Sequence, residues 1–167
     1  MKSFILGWLI FMAAFSKYEY EYIEIINLER KPIVEVRLNG KTAYFLIDTG
    51  SDISMLHKGD SQKYGFTLIS RKEKSLNAVG VGGKTSDFHA TYHVQLELGS
   101  TRIVTRYLAY DLSSIVDGIY NNTGIQIAGI IGSDVMKRYG IVIDYKNRQM
   151  GIPTKTAKDR KNARDIG

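Results

Sequence analysis

One carboxylate in this sequence stands where a reacting group would. Phe45-Leu46-Ile47-Asp48-Thr49-Gly50-Ser51 sets Asp48 directly after an apolar run and follows it with a hydroxyl residue, a glycine and a second hydroxyl residue. A carboxylate can take and return a proton during hydrolysis. Thr49 and Ser51 supply donors that can orient its oxygens, and Gly50 lets backbone come close where a Cβ would obstruct. Asp-Thr-Gly alone is a common tripeptide; at the end of a strand buried on both sides it carries more weight. About eighty residues later comes Ile130-Ile131-Gly132-Ser133-Asp134. Two β-branched residues before a glycine predict a buried strand packed closely on other backbone, with Ser133 or Asp134 capping the helix that follows. Taken alone, this segment reads as an ordinary strand-to-helix connection. Val79-Gly80-Val81-Gly82-Gly83 is the third feature. It lacks the Lys-Ser/Thr of a phosphate-binding loop and does not open a helix. Between two alternating stretches it predicts a mobile hairpin tip, able to close over a cleft.

Other side chains offer less. His89 and His93 could share one face of a strand, but no third ligand joins them, so no metal site is expected. The chain has no cysteine, which excludes disulfides, thiolate metal sites and a cysteine nucleophile. Ser-His-Asp chemistry lacks a nucleophile-elbow signature. Asp117-Gly118 has no intervening hydroxyl residue and does not follow a strand. Asp144 reads as structural, Asp52 as a surface group and Asp134 as a helix cap.

The elements that must position Asp48 are legible as alternation. Tyr18 to Tyr22 has period two, as does Ile33 to Leu38. Asn39-Gly40 then predicts a type I′ turn into a strand from Lys41 to Ile47. Met55 to Tyr64 is expected as a short helix ended by Gly65, and Ser75 to Val79 as a strand. From Thr85 a long strand carries Tyr92, Val94, Leu96 and Leu98 on one face, and Gly99-Ser100 turns it into another from Ile103 to Ala109. Asp111 to Gly124 is polar and glycine-bearing, and reads as a loop. Ile125 to Ile131 is strand-like, Ser133 to Tyr139 a short helix and Ile141 to Tyr145 a last strand. Many short strands separated by turns predict an all-β barrel or folded sandwich.

With 44% hydrophobic and 24% charged residues, the 167-residue chain has the composition of one globular domain with extensions. Lys2 and the apolar run over residues 4–15 make residues 1–16 a leader, either a signal peptide or a membrane anchor. That favours an exported or membrane-anchored protein over a cytoplasmic one. The domain is expected over residues 17–152. The formal charge of +6 could suggest nucleic acid, yet residues 153–167 hold five basic and two acidic side chains, half of the excess. They read as a flexible basic tail. No aromatic-basic interleaving supports a nucleic-acid partner.

Taken together, the hairpin, Leu46-Ile47-Asp48-Thr49-Gly50-Ser51, the glycine-rich tip and Ile130-Ile131-Gly132 before a short helix resemble the retropepsins, the single-domain aspartic proteases of retroviruses and many bacteria. The likeness covers about residues 30 to 150. It implies an all-β, retropepsin-like closed barrel, one half of an acid protease, with one short helix after the Ile-Ile-Gly segment. It implies an aspartic endopeptidase acting on a peptide or protein substrate without a cofactor. Asp48 would be catalytic, Thr49 would lock two active-site loops together across a dimer, and Gly50 would shape the carboxylate's surroundings. Ser51 and Ile131, with Val79, Gly80, Val81, Gly82 and Gly83 as a flap, would contact substrate, and Gly132 would support the catalytic loop from behind. A catalytically silent peptide-binding or dimerisation module on the same fold is the alternative; the intact motif favours the enzyme.

Once that class is granted, counting residues implies a dimer. Hydrolysis by carboxylates needs two of them holding one proton, since like charges about 3 Å apart do not both ionise. The sequence has a single Asp-Thr/Ser-Gly, so the second carboxylate must come from a twofold-related copy. The apolar leader and basic tail depart from the compact viral enzymes, whose termini build much of the dimer interface.

Overall fold

The computed structural model describes residues 19–27, 29–72, 78–80, 83–85 and 88–154. The leader, the tail from residue 155 onward, and Val81 and Gly82 of the glycine-rich tip lie outside the described residues.

A locally specified hairpin sits at the centre. Strands β2 (Ile33–Leu38) and β3 (Lys41–Ile47) pair antiparallel, Leu38 opposite Lys41 and Ile33 opposite Leu46, while β1 (Tyr20–Glu24) belongs to another sheet. Asn39 and Gly40 both have positive φ, 50° and 78°, as a type I′ turn requires. Alternation then sorts the side chains of β3. Ala43, Phe45 and Ile47 join one core cluster with Val34, Val36 and Leu38. Leu46 joins a second cluster with Ile33, and Tyr44 packs against it. The strand ending at Asp48 is therefore covered on both faces.

Around this hairpin lie β4 (Met55–His57), β5 (Thr67–Lys72), β8 (His89–Tyr92), β9 (Leu96–Leu98), β10 (Thr101–Ile103), β11 (Leu108–Tyr110) and β12 (Gly129–Ile131). They form a nine-stranded sheet in the order β10-β9-β2-β3-β12-β4-β11-β8-β5. Two more strands, β6 (Ala78–Gly80) and β7 (Gly83–Thr85), make the glycine-rich hairpin, with Gly80 opposite Gly83. A separate sheet takes β1, β13 (Val142–Asp144) and β14 (Gln149–Pro153) in the order β1-β14-β13, joining both ends of the described chain.

The all-β class holds, with corrections in detail. Met55 to Tyr64 is not one helix: it opens with β4, held between β11 and β12, and only Ser61–Tyr64 (α1) is α-helical, ended by Gly65 at φ 73°. The long strand from Thr85 breaks at His93, whose φ is 59°. Beyond the break the chain changes neighbours, β8 pairing with β5 and β11, and β9 with β2 and β10. Hence His89 and His93 do not share a strand face. The stretch from Ile103 to Ala109 is likewise divided between β10 and β11. A final strand, β14, follows the last one expected and completes the terminal sheet.

The largest correction concerns Asp111 to Gly124, which is no loop. Ser113–Thr123 is an 11-residue helix (α2), so the expectation of one short helix after Ile-Ile-Gly undercounts. That expected helix is present as Ser133–Tyr139 (α3). In α2, Val116 and Ile119 are buried in the second core cluster with Leu112, at spacings of four and three. Asp111, just before the cap residue Leu112, braces its start, its Oδ1 accepting from the Ser113 N–H at 3.1 Å and hydroxyl at 2.6 Å. The Ser113 hydroxyl first, then its N–H and Lys58, hold the Asp111 carboxyl down at about 2. With the folded value below the unfolded one, this stabilisation is present above about pH 4 and is lost as pH falls toward 2. Amide-exchange protection in the first turn of α2 should therefore hold at mildly acidic pH and drop between about pH 4 and 2. Unchanged protection below that window would refute this role of Asp111.

Candidate active site

Asp48 follows β3 immediately, and its backbone N–H donates to Ile131 O of the parallel strand β12 at 3.0 Å. Ser51 N donates back to Asp48 O at 3.1 Å, closing Asp48-Thr49-Gly50-Ser51 into a tight turn. Inside that turn Gly50 N donates to Asp48 Oδ1 at 2.9 Å. A Cβ at Gly50 would lie 3.2 Å from that same oxygen, so the glycine permits the approach that fixes the carboxylate. The other carboxylate oxygen has no hydrogen bond from a described residue. Asp48 is half-buried, whereas Thr49 and Gly50 are exposed in the single chain.

The Ile-Ile-Gly segment backs this turn. Ile130 and Ile131 are buried in opposite core clusters. Gly132 then passes so close that a Cβ would meet Ser51 O and the Ile53 carbonyl carbon, each at 2.8 Å. Ser133 N donates to Ser51 O at 2.8 Å, and Ser51 Oγ donates to Ile53 O at 2.9 Å. Ser51 thus ties the turn to both of its neighbours.

A further pair was missed in the sequence. Asp134 does not cap α3, whose cap position is Gly132 without a side-chain bond. Instead Asp134 Oδ1 accepts from Ser54 N at 2.9 Å and Ser54 Oγ at 2.6 Å, and Ser54 Oγ accepts from Gly132 N at 2.8 Å. Ser54 is buried at 3% exposure, so these donors have no water to turn to. Removing the acceptor with Asp134→Ala should cost about 3 kcal/mol and lower the melting temperature by roughly 10 °C, with Asp134→Asn costing less. An unchanged melting temperature in Asp134→Ala would show that the pair does not hold the site together.

The structure therefore gathers Asp48, Thr49, Gly50, Ser51, Ile131 and Gly132 into one unit. Val79, Gly80 and Gly83 lie in the separate β6-β7 hairpin, whose tip residues Val81 and Gly82 are not described. Among the described residues no three His, Asp or Glu side chains converge as metal ligands, and no helix is long and apolar enough to cross a membrane. Asp52 is exposed, and Asp144 accepts from Asn147 N and Nδ2 in a surface turn, which lowers its pKa.

A family model described as aspartyl protease matches residues 34–135, more than half of the chain. Among solved structures the chain is similar to the EIAV protease complexed with the inhibitor HBY-793, with 26% identity and a TM-score of 0.49, over 69% of this chain and 93% of that one. It is also similar to a retropepsin-like aspartic protease from Rickettsia conorii, with 18% identity and a TM-score of 0.47, over 81% and 94% of the two chains. A third similar structure is the retroviral protease-like domain of Ddi1 from Leishmania major, with 18% identity and a TM-score of 0.45, over 76% and 95%.

Proposed function

We propose, from the premise that this chain belongs to the aspartyl protease family, that it is an endopeptidase whose active site forms only when two copies each contribute Asp48. One observation carries the proposal: the doubly buried β3 delivers a single carboxylate, pinned through Oδ1 by Gly50 N–H and open at its other oxygen. A pinned carboxylate with one open oxygen, beside exposed Thr49 and Gly50, has the position needed to face its twin. The exposure of Thr49 and Gly50 supports the same arrangement, because Thr49 makes no side-chain hydrogen bond to a described residue of its own chain.

The chemistry follows from two carboxyls holding one proton. The ionised member takes a proton from a water molecule between them as that water's oxygen bonds to the scissile carbonyl carbon. The protonated member gives its proton to the carbonyl oxygen. As the resulting diol collapses and the C–N bond breaks, the protonated carboxyl gives its proton to the departing amine while the other carboxylate takes the proton of a diol hydroxyl, so that one proton is again shared. Backbone donors such as Gly50 N–H fix the carboxylate without being consumed. Ser51, with the β6-β7 hairpin as a flap, is proposed to hold the substrate; Ile131, expected to touch it, is fully buried and instead supports the turn from behind.

The test is cleavage of an unfolded polypeptide by the purified protein at mildly acidic pH, inhibited by a pepstatin-type compound and absent in Asp48→Asn. Cleavage that survives the substitution would reject the assignment.

A further inference from the structure

A cavity of about 460 Å³ opens between α2 and the turn at Arg30 and Lys31, with Leu46, two residues before Asp48, among its lining residues. Its position follows from the strand. Leu46 precedes Asp48 by two residues, and Asp48 N–H carries the pairing with β12 one residue past the end of β3, so alternation puts the two side chains on the same side, about 7 Å apart. Ile47 N donates to Pro32 O at 2.8 Å, which brings Arg30 and Lys31 level with the end of that strand. An extended peptide advances about 3.3 Å per residue. A substrate cut at Asp48 would therefore direct a side chain roughly one to three residues from the scissile bond into this cavity.

The lining has a definite chemistry. Leu46, Ile115 and Ile119 provide apolar wall, Arg30 and Lys31 are the only charged lining residues among those described, and both are exposed. Neither cation has a side-chain ion pair with a described residue. Gly118 also lines the cavity, and a Cβ there would meet nothing within 4 Å. Glycine inside a helix weakens it relative to alanine; at this position it leaves the cavity its width.

We propose that this cavity is a specificity pocket for an acidic substrate side chain, a glutamate or aspartate within about three residues of the cut bond. The aliphatic stem lies against Leu46 and Ile119, and the carboxylate meets Arg30 and Lys31. The proposal rests on the endopeptidase assignment and adds to it a substrate class, set by α2 and the 30–31 turn rather than by the catalytic loop.

The experiment is digestion of a denatured protein mixture at about pH 5.5, where glutamate is mostly ionised, with cut sites read by mass spectrometry. Glu and Asp should be enriched at one position within three residues of the cut. Charge reversal, Arg30→Glu with Lys31→Glu, should move that enrichment to Lys and Arg. For matched peptides differing only as Glu or Gln there, it should lower the kcat/KM ratio about tenfold. Gly118→Leu, which adds bulk to the cavity from a position where a Cβ meets nothing within 4 Å, should slow the Glu peptide more than one with Ala at that position. Cleavage without acidic enrichment, or a reversed variant with the parent's profile, overturns the pocket while leaving the protease intact. A uniform loss over all peptides, restored by raising protein concentration, assigns Arg30 and Lys31 to contact between copies and also overturns it. Failure of the parent to cut any polypeptide rejects the endopeptidase itself, and the pocket falls with it.

Discussion

Asp48→Asn is expected to lower kcat/KM on any cleavable polypeptide by about 10⁴-fold or more, with folding unchanged. The substitution isolates proton transfer. Asparagine keeps the shape of the side chain and an oxygen that can accept the 2.9 Å bond from Gly50 N–H, so the turn should persist. What it loses is the ability to take a proton from water or to hold one for the carbonyl. A positioned general acid or base contributes roughly 10²–10⁴-fold, and a homodimer loses both members of the dyad to one codon change. The measurement is a single-turnover rate on an unfolded polypeptide, paired with a melting curve. A variant that melts like the parent yet keeps more than about a tenth of its rate would remove Asp48 from the chemistry.

The second large effect is a mixing experiment. When parent chain is refolded with a ninefold excess of Asp48→Asn chain, the rate per parent chain should fall to about a tenth, because most parent copies then pair with an inert partner. A self-sufficient monomer would show no loss at any ratio. Dilution gives the same information by another route: below the dissociation constant of the dimer, activity should follow about the square of concentration. The expectation stems from a sequence with a single Asp-Thr-Gly and a structure that leaves Thr49 and Gly50 exposed on one chain. A rate strictly proportional to concentration throughout the nanomolar range would argue that one chain completes the site alone.

Both experiments bear on the Asp48 turn, whereas Asp134 and the α2 cavity test its surroundings. The separation is useful. Asp134→Ala should act through stability, since its carboxylate satisfies a buried serine and touches no reacting atom. The Arg30 and Lys31 variants should act through the choice of substrate.

The sequence by itself determined what depends on near neighbours. Asn39-Gly40 dictates a two-residue turn because both residues accept positive φ, and alternation from Lys41 to Ile47 then fixes which side chains enter each core. Asp48 is consequently delivered to a strand end by residues within ten positions of it. The helix after Gly132 and the stop at Gly65 were legible for the same reason. Tertiary structure decided the rest. Alternation runs on through His93, yet the strand breaks there because the two halves hydrogen-bond to different partners, and no period-two pattern encodes a change of partner. The spacing of Leu112, Val116 and Ile119 was a helical signal, obscured by Gly118, Asn121 and Asn122, which are poor helix formers; packing against Ile33, Leu46 and Ile130 settles it. Asp134 looked like a cap because caps are local, but its partner Ser54 is eighty residues away and reaches it only because β12 runs between β3 and β4. Side-chain chemistry marks the candidate carboxylate, while its supports and the α2 cavity exist only once distant strands take their order.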